Sequence, residues 1–122
     1  MHADGTEYYN GDADSRTLGI LTSSNRATFW GTPAVADVDN DGVLEIIVAG
    51  WNDGKLYVFK PDGGVAPGWP KKIADVDVAG CRCSAVWASP CVADIDGDKH
   101  MEIFIPGGRY LYGFHDDGRE IR

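Results

Sequence analysis

The chain contains 122 residues and has an acidic balance, because 19 Asp and Glu residues against 11 Lys and Arg residues give a formal net charge of −8. Its hydrophobic fraction of 43% and charged fraction of 25% are ordinary for a folded domain and argue against disorder. The acidity argues against nucleic acid as a partner, since a phosphate backbone requires a basic face. No window approaches the roughly 18 consecutive apolar residues of a membrane span, and the first residues do not resemble a signal peptide.

The turn-forming residues and the apolar runs between them favour an all-β fold. The chain has 16 glycines and 6 prolines, which predict many tight turns. In chain order, the pattern predicts strands over 32–38, 44–49, 55–60, 65–73, 86–95, 101–106 and 109–115. Asn52, Asp53 and Gly54 form a strong hairpin signal between the second and third of these strands. No window of the sequence carries a helical apolar stripe.

The predicted strands fall into two copies of one sequence unit. At a spacing of 57 residues, four acidic positions recur, so that Asp37, Asp39, Asp41 and Glu45 correspond to Asp94, Asp96, Asp98 and Glu102. Downstream, the run 56–59 corresponds to the run 111–114 at a spacing of 55 residues. Four antiparallel strands in a unit of roughly 55 residues are typical of a β-propeller blade. We therefore predict two four-stranded antiparallel blades of a partial propeller.

This repeat divides the chain into three parts. Residues 1–30 are predicted to form an outer strand or connection that belongs to a preceding blade or to a blade of a neighbouring chain. Residues 31–85 form the first blade with its connection, and residues 86–122 form the second blade, whose outer strand is incomplete.

The turn between the first two strands of the first unit concentrates carboxylates. Loop positions 1, 3, 5 and 9 are all acidic: Asp37, Asp39, Asp41 and Glu45. Strand alternation does not explain this run of carboxylates, because the run crosses a turn. Binding of Ca²⁺ would explain it, since Ca²⁺ takes about six to eight oxygen ligands. The backbone carbonyl of Val43, at position 7, would complete the ring, and Gly42 at position 6 would allow the sharp bend. The alternative is an acidic hairpin turn without a metal, since Asp and Gly are common in turns.

The second unit repeats the acidic loop with a different placement of glycine. Its four carboxylates are Asp94, Asp96, Asp98 and Glu102. Position 7 is His100, whose backbone oxygen would face the ion and whose side chain is expected to point to solvent. Position 6 is Lys99, and Gly97 stands at position 4. A left-handed conformation costs a lysine about 1 kcal/mol of free energy, so we expect this loop to bind Ca²⁺ with lower affinity than the first.

These residues together resemble the FG-GAP/VCBS-type repeat, which is found in integrin α-subunit propellers and in many secreted bacterial proteins. The resemblance rests on the segments 32–42, 56–59, 62–63, 67–70 and 89–96. It implies a propeller of about seven or eight blades in most relatives, with Ca²⁺ bound in the first hairpin of a blade. It places the calcium ligands on the eight carboxylates named above, and it implies an extracellular or cell-surface location.

Three functions follow from this interpretation. The leading one is a non-enzymatic scaffold or recognition unit for a protein or a glycan. The alternatives are the propeller portion of a polysaccharide-active enzyme, such as a lyase, and a purely structural self-assembling unit. No serine or cysteine stands with a histidine and an acid in a recognisable catalytic arrangement. Trp51, beside a turn, is the candidate for ligand contact. Cys91 replaces Ala34 of the first unit, so a buried thiol is expected.

Two units are too few to close a ring. Bare sheet faces are costly, at about 25 cal/mol per Å² of apolar surface, and they invite association. The sequence ends where the fourth strand of its second blade would begin, so residues 1–30 could complete that blade in another copy. Three chains would then give six blades, and four chains would give eight. The alternative is that the missing blades lie in a longer parent chain.

Overall fold

The computed structural model describes residues 27–73, 86, 88–107 and 110–121. These residues form seven strands: β1 (Ala34–Ala36), β2 (Glu45–Ala49), β3 (Lys55–Phe59), β4 (Lys71–Lys72), β5 (Cys91–Ala93), β6 (Glu102–Gly107) and β7 (Tyr110–Phe114). Each lies within one residue of a predicted strand or inside it. Over the described ranges no helix forms, so none of these segments is a helix that could cross a membrane.

The strands form two antiparallel sheets, which confirms the predicted all-β class. The first sheet has the order β1-β2-β3-β4 and the second has the order β5-β6-β7. Beyond β7, a single bridge joins Phe114 to Glu120, just as Phe59 is bridged to Val65 in the first sheet. The strand predicted over 65–73 is shorter than expected, because Pro67 and Pro70 have no N–H to donate to the ladder. Within this segment, only the two residues of β4 therefore pair regularly with β3.

Each sheet has two faces that follow the alternation of its strands. We call the front face the side that carries Ile47, Ala49, Leu56 and Val58 in the first sheet. The positions equivalent by repeat in the second sheet are Phe104, Pro106, Leu111 and Gly113. The back face is the opposite side, with Ile46, Val48, Tyr57 and Phe59 in the first sheet and Ile103, Ile105, Tyr112 and Phe114 in the second.

One apolar core joins the two sheets. The front face of the first sheet packs with the back face of the second, so that Ile47 and Leu56 share a buried cluster with Ile103 and Ile105. Opposite faces meet, as they do when identical units are stacked in sequence rather than paired about a two-fold axis. The burial of these side chains stabilises the pair of sheets at about 25 cal/mol per Å² of apolar surface.

Polar contacts fix the outer part of this junction. Trp69 packs edge-on against Phe114, with ring centroids 5.6 Å apart, and its indole Nε1 donates to the carbonyl oxygen of Asp116 at 2.8 Å. Gly68 has a φ of 85° and lies so close to the backbone of Asp117 that a Cβ would overlap its carbonyl oxygen. A glycine is therefore required here for both its conformation and its size. At the inner side, the Thr32 N–H donates to Ser89 Oγ at 2.9 Å.

The two remaining sheet faces differ in whether other side chains pack against them. On the back face of the first sheet, the ring of Phe29 stands edge-on to Tyr57 and Phe59, at centroid distances of 5.7 and 6.0 Å. On the front face of the second sheet, Leu111 is 71% exposed, whereas its counterpart Leu56 is fully buried. The second sheet therefore presents an apolar face that the described residues leave open.

Cys91 corrects one expectation from the sequence. It was expected to be buried like a core residue, but its side chain is exposed. Cys91 lies opposite Phe104, on the open front face of the second sheet. Its burial therefore depends on a further sheet packing there, which the repeat alone does not provide. The predictions for residues 1–26 and for the connection over 74–85 lie outside the described residues.

Candidate metal centre

Two acidic loops lie side by side at one edge of the molecule. The first loop, residues 37–45, joins β1 to β2, and the second loop, residues 94–102, joins β5 to β6. The N–H of Met101 donates to the carbonyl oxygen of Val38 at 2.9 Å, which ties the second loop to the first. The common strand order of the two sheets therefore places all eight predicted carboxylates at the same edge.

The first aspartate of each loop organises the backbone. The carboxylate of Asp37 accepts from the N–H groups of Asp41 and Gly42 at 3.0 and 2.9 Å. The carboxylate of Asp94 accepts from the N–H groups of Gly97 and Lys99 at 2.6 and 3.0 Å. Aspartate side chains commonly hold turns in this way. In each loop, a predicted ligand residue therefore holds the backbone of the turn.

Both loops bend at the same two positions. Positions 4 and 6 are left-handed in each, with φ of 59° at Asn40 and 86° at Gly42, and 84° at Gly97 and 75° at Lys99. The left-handed conformation predicted for Lys99 is confirmed. Asparagine tolerates this region better than most residues, and glycine adopts it freely. The lysine is thus the one strained residue among these four.

The fifth position of each loop also accepts a backbone hydrogen bond. Asp41 Oδ1 accepts from the Val43 N–H, and Asp98 Oδ1 accepts from the His100 N–H, both at 2.8 Å. The bond from Val43 lowers the pKa of Asp41, with a smaller contribution from Lys60. Asp41 is therefore a carboxylate at neutral pH, as a cation ligand must be.

The last residue of each loop is a buried glutamate. Glu45 is 0% exposed and Glu102 is 1% exposed. One carboxylate oxygen of each, Oε2, accepts from a loop N–H at 2.9 Å, from Val38 in the first loop and from Ile95 in the second. A buried carboxylate is costly unless its charge is compensated. The partner of the second oxygen, Oε1, therefore determines how each loop is neutralised.

In the first loop, a lysine supplies this partner. Lys60, which follows β3, places Nζ 2.8 Å from Glu45 Oε1, and at 3.2 Å from both Asp39 Oδ2 and Asp41 Oδ2. The hydrogen bond to Glu45 is the main reason that the pKa of Lys60 is raised, so the ammonium remains charged. One tethered cation thus contacts three of the four predicted ligands.

The second loop has a histidine in place of this lysine. At the repeat spacing of 55 residues, His115 takes the place of Lys60. Its Nδ1 lies 3.5 Å from Glu102 Oε1, which is too far for a good hydrogen bond. Among the described residues this buried oxygen has no hydrogen-bond partner at all. An unsatisfied buried acceptor is rare in folded proteins and points to a missing proton, water or cation.

The oxygen spacing in both loops fits a single cation. One carboxylate oxygen from each of Asp37, Asp39 and Asp41 lies within 4.8 Å of the others. The same holds for Asp94, Asp96 and Glu102. Two oxygens bound to one Ca²⁺ at about 2.3–2.6 Å can be up to about 5 Å apart, so both groups fit a hard, oxygen-preferring ion.

Not every predicted ligand joins these two groups. Within the described part of the chain, Glu45 lies outside the first group and Asp98 lies outside the second. Glu45 is already engaged by Val38 and Lys60. Coordination by the carbonyl oxygens of Val43 and His100 stays a prediction, as does the complete ligand set.

The side chain of His100 was expected to point to solvent, and it is 45% exposed. It also makes a contact that the sequence did not predict, because its Nδ1 lies 2.9 Å from Asp116 Oδ2. This contact is the main reason that the pKa of His100 is raised. Asp116 belongs to the turn after β7, which folds back toward the loop. His100 therefore links the second loop to the outer edge of its sheet.

Trp51 lies away from both loops. It follows the far end of β2, whereas the first loop precedes that strand. Its ring stacks on Trp30 with centroids 5.3 Å apart and an interplanar angle of 18°. The structure thus separates this candidate for ligand contact from the acidic loops, and pairs it with a tryptophan that is 61% exposed.

Lys60 and His115 are functional candidates that the sequence reasoning missed. Both immediately follow the corresponding aromatic residues Phe59 and Phe114. Extending that correspondence by one residue would have singled them out, but nothing in the local sequence indicates that they reach an acidic loop.

Two stacked antiparallel sheets with an acidic loop between the first and second strand define a tandem repeat of the β-propeller class. The sequence matches the family described as FG-GAP-like repeat over residues 37–105, which is more than half of the chain. The chain belongs to this family. No match was found among curated proteins or among solved structures.

Proposed function

We propose that this chain is a calcium-binding β-propeller module that acts outside the cell as a non-enzymatic scaffold or recognition unit. The observation that carries the proposal is the repeated loop, which gathers three carboxylate oxygens within 4.8 Å at the same place in both sheets. Oε1 of buried Glu102, which no described residue hydrogen-bonds, supports it further.

The expected affinity suits an extracellular setting. Short exposed loops of this kind bind Ca²⁺ with dissociation constants on the order of 10⁻⁴–10⁻³ M. Such sites are filled at millimolar Ca²⁺, as outside cells, and are empty at cytosolic concentrations. Because the ligands come together only in the folded loop, Ca²⁺ should stabilise the fold by mass action.

Thermal unfolding tests this proposal. The melting temperature should rise as free Ca²⁺ increases from micromolar to 10 mM, and a chelator should reverse the rise. Asp96→Asn should reduce the response, because Asp96 belongs to the second oxygen group. Asp62→Asn is the matched control, since Asp62 lies in an exposed turn whose Oδ1 accepts from the Gly64 N–H, and an amide oxygen can still accept there. A melting temperature that changes with neither Ca²⁺ nor chelator would contradict the proposal.

The scaffold part of the proposal concerns the open front face of the second sheet. The partner that fits it is the back face of the first sheet in a second copy, because the chain already joins a front face to a back face in its own core. The Phe29 ring that stands against Tyr57 and Phe59 would have to move aside. Tyr57 and Phe59 in that back face match Tyr112 and Phe114 of the internal junction. Head-to-tail contacts of this kind close a ring when the rotation permits.

Solution mass and thiol labelling test this assembly. With Ca²⁺ present, we expect a mass of three or four chains, and a Cys91 thiol that reacts more slowly as protein concentration rises. Leu111→Glu should return the protein to a monomer with a rapidly labelled Cys91. Tyr110→Glu is the control, since Tyr110 is also exposed on β7 but lies on the back face of the sheet, opposite to Leu111. A monomeric wild type at micromolar concentration would contradict self-assembly and favour blades supplied by another chain.

Glycan recognition is a second candidate function, favoured by the exposed tryptophan stack. Sugar rings bind to exposed aromatic faces, and Trp30 presents such a face above Trp51. Addition of neutral oligosaccharides should change tryptophan fluorescence in the wild type and not in Trp30→Ala. Turnover of a polysaccharide by the purified chain would instead support the enzyme alternative.

A further inference from the structure

We propose that Lys60 is a tethered cation that takes the place of a bound divalent ion in the first loop, so that the calcium response of the chain comes from the second loop. The inference rests on the proposed function, since it requires that at least one loop binds Ca²⁺. It reverses the order expected from sequence, in which Lys99 makes the second loop the weaker one.

The contacts of Lys60 carry the first half of this inference. Its Nζ lies 3.2 Å from Asp39 Oδ2 and from Asp41 Oδ2, and both residues belong to the oxygen group of the first loop. Its shortest contact, 2.8 Å, is to buried Glu45. The ammonium thus already supplies positive charge to two of the three carboxylates that a divalent ion would use.

An ion entering the first loop therefore meets an obstacle by either route. If Lys60 stays, the ion is placed close to a fixed like charge, which repels it. If Lys60 moves away, its contacts with Glu45, Asp39 and Asp41 are lost, and this cost reduces the net gain from the ion. Both routes weaken binding relative to the same loop without the lysine.

In the second loop, the buried glutamate lacks the lysine contact that Glu45 has. Glu102 is as buried as Glu45, yet its Oε1 has no hydrogen-bond partner among the described residues. The side chain at the position of Lys60 is His115, which is shorter and stops at 3.5 Å. Because Glu102 itself belongs to the oxygen group of this loop, an ion bound there would gain a buried carboxylate oxygen that none of the described residues hydrogen-bonds.

Calcium titrations of single-loop variants test the inference. The melting temperature of the whole chain, measured against free Ca²⁺ at constant ionic strength and pH, gives an apparent dissociation constant by mass action. Asp96→Asn should remove most of the calcium-induced shift. Asp39→Asn, the equivalent change in the first loop, should leave the apparent dissociation constant within about threefold of the wild type.

Removal of the Lys60 ammonium should allow the first loop to bind Ca²⁺ more tightly. In the Asp96→Asn background, Lys60→Met should restore a calcium-induced shift, with affinity at least about tenfold tighter than that of Asp96→Asn alone. Lys55→Met in the same background is the matched control, because it removes the same charge from an exposed position on β3. If Lys60→Met fails to fold without metal, Lys60→Gln keeps a polar group near Glu45 and should give a smaller gain.

The reciprocal substitution should weaken calcium binding at the second loop. His115→Lys introduces a cation beside Glu102, so it should raise the melting temperature without metal and reduce the calcium-induced shift. Two equal sites in the wild type, or loss of the shift in Asp39→Asn alone, would overturn the inference and leave the proposed function intact. No calcium response in any of these variants would overturn the proposed function, and this inference with it.

Discussion

The two sheets differ at positions that are equivalent in the repeat. Leu56 and Leu111 occupy the same position in the repeat, yet the first is fully buried and the second is 71% exposed. Lys60 and His115 also correspond, yet only the lysine makes short contacts with a loop carboxylate. The repeat sets the backbone of each sheet, whereas the environment of a side chain depends on which neighbours the next sheet and the next strand supply.

The largest expected difference between the sheets is in the cost of removing a core leucine. Leu56→Ala should lower the free energy of unfolding by about 2–5 kcal/mol, because it removes apolar contacts and leaves a cavity in the core. Leu111→Ala should change it by about 0.5 kcal/mol or less in the monomer, as expected for an exposed side chain. Urea denaturation at a concentration where the chain is monomeric measures both.

The same pair also sharpens the assembly proposal. If the front face of the second sheet is covered in a ring, Leu111→Ala should shift the mass distribution toward monomer while leaving monomer stability unchanged. Equal costs for the two variants in the monomer would show that the comparison of the two faces is wrong.

A smaller effect is expected from glycines that share a backbone conformation. Gly68 and Gly97 have φ of 85° and 84°, but only Gly68 has backbone atoms of another segment where a Cβ would stand. Gly97→Ala should cost about 1–2 kcal/mol for the left-handed conformation alone. Gly68→Ala should cost roughly 1–3 kcal/mol more, since the Asp117 backbone must move.

Urea denaturation of both glycine variants separates conformation from contact. The difference between them reports how rigidly the outer segment before β4 is held against the turn after β7. If Gly68→Ala costs no more than Gly97→Ala, the junction between the two sheets yields easily at its outer edge.

The regular part of this fold could be predicted from sequence. Period-two alternation and turn residues locate the strands, and the 57-residue spacing shows that Asp37 and Asp94 begin equivalent loops. The left-handed Lys99 could also be predicted, because the loop geometry at Gly42 transfers by repeat. These features are set by short segments of chain, within which the causes are visible.

Other features of the site could not be predicted, because they depend on distant segments. Lys60 reaches Asp39 from 21 residues away along the chain, and hydrophobic alternation does not indicate where a lysine that follows β3 will point. The predicted burial of Cys91 was wrong for a related reason. Its equivalence to Ala34 is a property of the strand, but its burial is a property of the neighbouring sheet.

The smallest expected effect concerns position 6 of the two loops, where Gly42 and Lys99 adopt the same left-handed conformation. Lys99→Gly and Lys99→Ala remove the same charge, so their difference isolates the backbone. The glycine variant should be more stable than the alanine variant by roughly 1 kcal/mol, although the greater freedom of glycine in the unfolded chain offsets part of this gain. Urea denaturation in the presence of a chelator measures the difference without a contribution from metal binding. Equal stability of the two variants would mean that the second loop relaxes at this position, and that its backbone is not held in the geometry of the first.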